Sequence, residues 1–281
     1  MLRSSEWVLL SYYVYCMACS ILMPVRAGVM PVTLATNTMV IGGLLLLAYA
    51  ENLRRRRLLS VMRDWYPLPL MLLAYREMGW FAPSAHSYQL EHGWVIYDRL
   101  LLNDWGLRAL IESTGPVLPS FLEICYSLVY AIAPFCMGLL YYRHLGRRMN
   151  AFLTTFLLGI FLSYVFFPFF PSEPPRTVFP GQDLPTVVTI FRRFNLGLVG
   201  NYGIHMSVFP SAHCSGAFAA AFAMRGILPE EPWVWRVLLV LAAGIATATV
   251  YGRYHYAADA AAGFIVALVA WRISLRLSGA H

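Results

Sequence analysis

Apolar residues fall in long blocks along this chain, and short charged stretches separate the blocks. A helix needs roughly 20 residues to cross a bilayer's hydrocarbon core. Blocks near that length predict spanning helices at 7–24, 33–50, 119–141, 152–170, 209–226, 234–251 and 259–275. The segment 66–83 is also apolar, but it carries Arg76, Glu77 and three prolines, which predicts a broken or re-entrant helix packed inside the bundle. Between these blocks, 84–118 mixes Trp94, Tyr97, Trp105 and Leu110 with Asp98, Arg99, Asp104 and Arg108. That mixture predicts an amphipathic segment lying at the membrane interface.

The charges orient the blocks. Arg54 to Arg57 follow the second block, Arg143, Arg147 and Arg148 separate two more, and Arg225 with Arg236, then Arg272 with Arg276, flank the last three. Basic residues accumulate on the cytoplasmic side. Placing all these groups there puts both termini in the cytoplasm and requires an even number of crossings. The segment 66–83 must then cross, which gives eight. The expected fold is an all-α polytopic transmembrane bundle of about 6–8 spans. Residues 1–118 would form N-terminal membrane helices plus an interfacial segment, and residues 119–281 a catalytic transmembrane core. The run from Trp7 to Met23 is long enough to remain as an uncleaved first helix.

Composition supports lipid as the solvent. The 281 residues are 59% hydrophobic and 12% charged, against about 25% charged in soluble domains. All 21 basic residues are Arg, so any anion site must use Arg, His or backbone N–H groups. The net charge of +7 does not point to nucleic acid, because the Arg residues sit mainly at block ends. Cys16, Cys19, Cys125, Cys136 and Cys214 lie in or beside apolar runs, which predicts buried thiols, with no disulfide framework and no zinc site.

Two motifs carry chemistry. Phe209-Pro210-Ser211-Ala212-His213 opens an apolar helix of small residues, with the proline expected in its first turn. The free N–H groups of a first turn favour an anion there. The second motif is Tyr251-Gly252-Arg253-Tyr254-His255-Tyr256-Ala257-Ala258-Asp259. His255 and Asp259 are four apart, so on a helix they share a face, and the carboxylate can fix the imidazole tautomer. One motif starts a helix on the extracytoplasmic side and the other follows a helix ending there, so His213 and His255 should land at the same membrane face. On the same side, Arg176 in Pro171-Ser172-Glu173-Pro174-Pro175-Arg176 and Arg253 are candidates to bind phosphate. Arg192, Arg193, His205 and Tyr251 are further candidates.

These motifs resemble the type 2 phosphatidic acid phosphatase superfamily, most closely its inositol phosphorylceramide synthase branch. The resemblance covers about 119 to 275. It implies a six-helix catalytic core and cofactor-free, metal-independent chemistry through a phosphohistidine. His255 would be the nucleophile, Asp259 its orienting partner and His213 the acid, and Ser211 and the backbone around Ala212 would contact the phosphate. The commoner phosphatase pattern has Gly at Ala212, Arg at Thr249 and Lys at Phe169, so the phosphate clamp here differs. The synthase branch also lacks the Arg before the nucleophile, so the resemblance implies a membrane phosphotransferase moving a phosphoinositol-like headgroup between lipids. The charge distribution puts its site on the extracytoplasmic face, expected to be that of a bacterial inner membrane. The partners are a phospholipid donor and a lipid hydroxyl or water as acceptor. Water as acceptor would make a lipid phosphatase. The same residues also admit a metal site built from His205, His213, His255 and Asp259, and the charges within the apolar blocks admit a non-enzymatic lipid-binding or transport protein.

Overall fold

A computed structural model describes residues 1–81, 86–204, 206 and 208–277, and among the described residues it contains helices and no strand. Helices α1 (Ser4–Leu22) and α2 (Val29–Arg54) form a hairpin whose turn uses Gly28 at φ +86°. Helices α3 (Arg57–Trp65) and α4 (Pro67–Met78) follow as a broken pair, divided at Pro67. A proline opens a helix readily but cannot donate within one. Next come α5 (Gln89–Arg99), a π-helical turn over Leu100–Asp104, and α6 (Leu107–Glu112).

Helix α7 (Val117–Leu128) passes through a tighter turn at Val129–Ala131 into α8 (Ile132–Tyr142). Pro134, lacking an N–H for the Tyr130 carbonyl, accounts for that interruption. The remaining helices are α9 (Met149–Phe166), α10 (Pro175–Val178), α11 (Ile190–Tyr202), α12 (Ala212–Ile227), α13 (Pro232–Tyr251) and α14 (Ala257–Leu277).

Among the described residues, six runs are long and apolar enough to cross a membrane: α1, α2, α7 with α8, α9 with its leading turn, α13 and α14. The chain is an integral membrane protein with an all-α polytopic fold. Helix α12, at 16 residues, and the broken α3–α4 pair, at 9 and 12, are shorter and are not among the six, so the eight crossings expected from the charges are not all met by long apolar helices. Side-chain bonds define the Arg-rich end. Arg3 reaches Asp64 at 2.5 Å, Arg63 bonds Glu6 at 2.6 Å and also meets Glu51, and Tyr141 donates to Asp64 at 2.5 Å. There too Arg148 bonds Glu230 at 3.1 Å and Arg143 bonds Glu231 at 2.7 Å. At the opposite end, Arg76 donates to the Tyr202 carbonyl at 2.9 Å, and the Tyr75 hydroxyl accepts the Ile204 N–H at 2.9 Å.

The segment expected at the interface carries its polarity inside out. Glu91 and Asp98 on α5 are buried, whereas Ile96, Tyr97, Trp105 and Leu110 are exposed. An apolar outer face suits a surface that meets lipid, and the inward carboxylates reach toward the loops described below.

Helix α12 sits at the centre, against α9, α13 and α14. Small residues make this possible, since lipid offers no hydrophobic drive for helices to associate and close backbone approach takes its place. A Cβ on Gly159 would lie 2.6 Å from the Ala219 Cβ and 3.0 Å from the Ser215 carbonyl. Gly159→Ala should therefore destabilise the protein by about 1–3 kcal/mol. Gly138→Ala, with nothing within 4 Å, should stay within about 0.5 kcal/mol of wild type. Unfolding in detergent measures both, and equal effects would contradict the close α9–α12 approach.

Candidate active site

Helix α12 opens at Ala212, with Ser211 as an extended N-cap whose Oγ accepts the Cys214 N–H at 3.4 Å. Pro210 therefore precedes the cap and lies outside the first turn, where it was expected. The Ser211 N–H donates to the Asp259 carbonyl at 3.0 Å, which ties the start of α12 to the start of α14. The helix itself offers no carbonyl to the N–H groups of Ala212 and His213.

His255 lies in the tight turn joining α13 to α14. The Thr249 carbonyl accepts both the Tyr254 N–H at 2.9 Å and the His255 N–H at 3.0 Å. Arg253 adopts φ +61°, a left-handed conformation that costs roughly 1–2 kcal/mol for an L-residue. Its neighbour must be Gly252, because a Cβ there would sit 2.3 Å from Tyr254 Cε2. Asp259 Oδ2 accepts the Tyr256 N–H at 2.8 Å and lies 3.3 Å from His255 Nδ1. Since α14 begins only at Ala257, the pairing is not the shared helical face expected from the spacing. Asp259 instead caps the first turn backwards, and the same oxygen meets the imidazole. A proton on Nδ1 facing the carboxylate leaves Nε2 with its lone pair free.

The two imidazoles face each other with ring centroids 5.6 Å apart and planes at 61°. Tyr126 lies parallel to His213 at 5.2 Å and parallel to Tyr254 at 4.2 Å. Tyr130 meets His213 edge-on at 6.1 Å. Both histidines line a cavity of about 450 Å³. Arg176, Ala212 and Tyr254 line it beside them. The rest of its wall is mostly apolar, with Leu68, Met71 and Leu72 from α4 and Phe156 and Ile160 from α9. Arg176 is half-buried, with its guanidinium 5.4 Å over the Tyr254 ring, and it has no carboxylate partner among the described residues.

The other candidates stand elsewhere. Ser211 is fully buried and does not line the cavity. Arg253 is fully buried and paired with Asp98 at 2.5 Å, away from the cavity wall. The second Asp98 oxygen accepts the Ala257 N–H at 2.8 Å, so one carboxylate holds both ends of the His255 turn. Arg192 is buried, bonding Glu123 at 3.0 Å and the Gly252 carbonyl at 3.2 Å. Tyr251 donates to Glu112 at 3.2 Å. Arg193 is exposed. His205 lies outside the described residues.

Three residues of the surrounding frame were not singled out from sequence. Buried Glu123 on α7 accepts Tyr254 Oη at 2.8 Å and Asn195 Nδ2 at 2.8 Å, as well as Arg192. It thereby steadies the ring that carries Arg176. The signal was present: a lone carboxylate inside an apolar block is a functional candidate by default. Asp98 and Tyr126 gave no such signal. Among the described residues, no group of three or more His, Cys, Asp or Glu is placed to hold a metal ion.

A sequence profile of the PAP2 superfamily matches residues 95–273. The chain belongs to that superfamily. No curated protein and no solved structure matches it.

Burial, and after it the positive field of Arg176, hold the His255 imidazole far below its ordinary 6.5, at about 3. A lowered value means the neutral form persists as pH falls. The ¹⁵N signals of His255, assigned through a His255→Gln variant, should stay those of a neutral ring between about pH 5 and 8, where an ordinary histidine titrates. A midpoint near 6.5 would contradict this environment.

Proposed function

We propose that this protein is a lipid phosphotransferase that moves a phosphate-linked headgroup, of phosphoinositol type, from a phospholipid to a lipid hydroxyl. The observation that carries the proposal is the meeting of His213 and His255, 5.6 Å apart, in an apolar cavity also lined by Arg176. Membership of the superfamily supports phosphatase or phosphotransferase activity on lipids.

A donor lipid places its phosphorus at the two imidazoles and its chains along α4 and α9. His255 Nε2 attacks phosphorus. A P–N bond forms, the P–O bond to the lipid alcohol breaks, and His213, which takes up a proton once the anionic phosphate lies beside it, gives that proton to the departing oxygen. Asp259 stabilises the charge that develops on the His255 ring. The Arg176 guanidinium and the first-turn N–H groups of α12 balance charge on the equatorial oxygens. His213, now neutral, takes the proton of an acceptor hydroxyl, whose oxygen breaks the P–N bond.

The acceptor decides between transfer and hydrolysis. His255 is only 6% exposed, and a mostly apolar wall favours a lipid hydroxyl over water. The missing Lys and the Thr249 side chain also separate the chain from the commoner hydrolytic pattern. Arg253 and Arg192 act here as positioning residues that shape the turn. The site would open on the end opposite the Arg-rich loops, which is extracytoplasmic if those loops are cytoplasmic.

Incubation with phosphatidylinositol plus ceramide or diacylglycerol, read by mass spectrometry, tests this. The headgroup should appear on the acceptor lipid, and release of free phosphate or headgroup phosphate would make the protein a hydrolase. His255→Asn should lower turnover by at least about 10³-fold. Arg176→Met should lower kcat/KM by about 10²-fold or more, and Arg193→Met should leave it unchanged. Normal turnover in the His255 variant would overturn the assignment.

A further inference from the structure

The N-terminal helices hold a second buried polar group that the chemistry above does not use, and it precedes the region matched by the superfamily profile. Glu77 on α4 is fully buried. Its polar neighbours are Asn37 on α2 and Cys16 on α1, and Tyr12 on α1 is close enough to feel its charge. Thr33 stands one helical turn before Asn37 on the same side of α2 and is also fully buried. The Asn37 and Cys16 side chains approach the Glu77 carboxyl, and Cys16 approaches Tyr12, but neither Glu77 oxygen makes a well-formed hydrogen bond, nor do Thr33 Oγ1, Asn37 Oδ1 and Tyr12 Oη. The Asn37 amide nitrogen already donates to the Tyr13 carbonyl at 3.5 Å, so its oxygen is the end left over.

Five unpartnered oxygens from three helices, in a protein whose outer surface meets lipid, call for an occupant. Their chemistry narrows it. All are hard oxygen donors, which suit alkali and alkaline-earth ions and not the softer metals. There is one formal negative charge, which a single positive charge neutralises in a low-dielectric interior. Calcium takes six to eight oxygens, commonly from several carboxylates, and magnesium keeps much of its water. We propose that Glu77, Asn37, Thr33 and Tyr12 bind one alkali-metal cation between α1, α2 and α4.

The location gives such an ion a consequence. Helix α4 forms one wall of the catalytic cavity through Leu68, Met71, Leu72 and Tyr75. Tyr12 and Tyr75 each pack on Tyr164, at 6.1 Å and 6.0 Å, and Tyr164 lines the cavity. An ion joining α4 to α1 and α2 fixes the position of that wall from behind.

The test uses the full-length protein in detergent. Its thermal unfolding is followed as sodium or potassium chloride replaces choline chloride at constant ionic strength. One of the two ions should raise Tm saturably by several degrees, as expected for a ligand bound to the folded state alone. Glu77→Gln and Thr33→Val should each remove that rise. Should Glu77→Gln fail to fold, Thr33→Val and direct binding of ²²Na⁺ or ⁸⁶Rb⁺ at one ion per chain serve in its place. The proposal is overturned if neither ion differs from choline, if the variants keep the same shift, or if Tm follows pH alone. None of these residues takes part in the proposed phosphoryl transfer, so loss of the cation effect leaves the transferase assignment standing.

Discussion

A single backbone bond sets the geometry on which the candidate site depends. The Ser211 N–H donates to the Asp259 carbonyl at 3.0 Å, joining the first turns of α12 and α14. The bond exists because α14 presents Gly263 there, where a Cβ would lie 2.6 Å from the Ser211 carbonyl and 3.0 Å from the Cys214 Cβ. His213 stands two residues after Ser211, and the Asp259 side chain holds His255. The bond therefore fixes both imidazoles relative to one another. In lipid, where apolar surface has little reason to leave its solvent, such close approaches by small residues do the packing.

The His255 turn is held by charges that touch nothing in the cavity. Asp98 takes the Arg253 guanidinium and the Ala257 N–H, while Glu123 takes Arg192, Asn195 and Tyr254. Buried ion pairs are weak evidence of net stability, because desolvation offsets most of the attraction. Their directional bonds nevertheless define one arrangement of the turn, including the left-handed Arg253. This division of labour leaves Arg176, without a carboxylate, as the cation that faces the cavity.

Much of this was legible in the amino-acid order. The apolar blocks gave the helices to within a few residues, whereas the parity of the Arg-rich loops asked 66–83 to cross, and there the described residues hold the 12-residue α4, which is not among the six spanning runs. The 42-residue separation of His213 and His255 matched two antiparallel helices and a turn, which brings the imidazoles together. What the order concealed lies at the level of individual side chains. Position alone paired Arg253 with Arg176 as phosphate ligands and added Arg192 behind them, whereas of these three only Arg176 lines the cavity. The difference rests on Glu123 and Asp98, which come from α7 and α5 and approach only through tertiary packing. The four-residue interval between His255 and Asp259 likewise suggested a helical face, but a capping turn makes the contact.

The central claim is that His255 becomes covalently phosphorylated. Its most direct test is to mix the protein with a donor phospholipid labelled in the phosphate, quench within a turnover, digest and map the label. The account predicts label on the peptide containing His255, in an acid-labile, base-stable linkage, discharged when an acceptor lipid is added. Turnover without label at any stage, or label on a different residue, would contradict it.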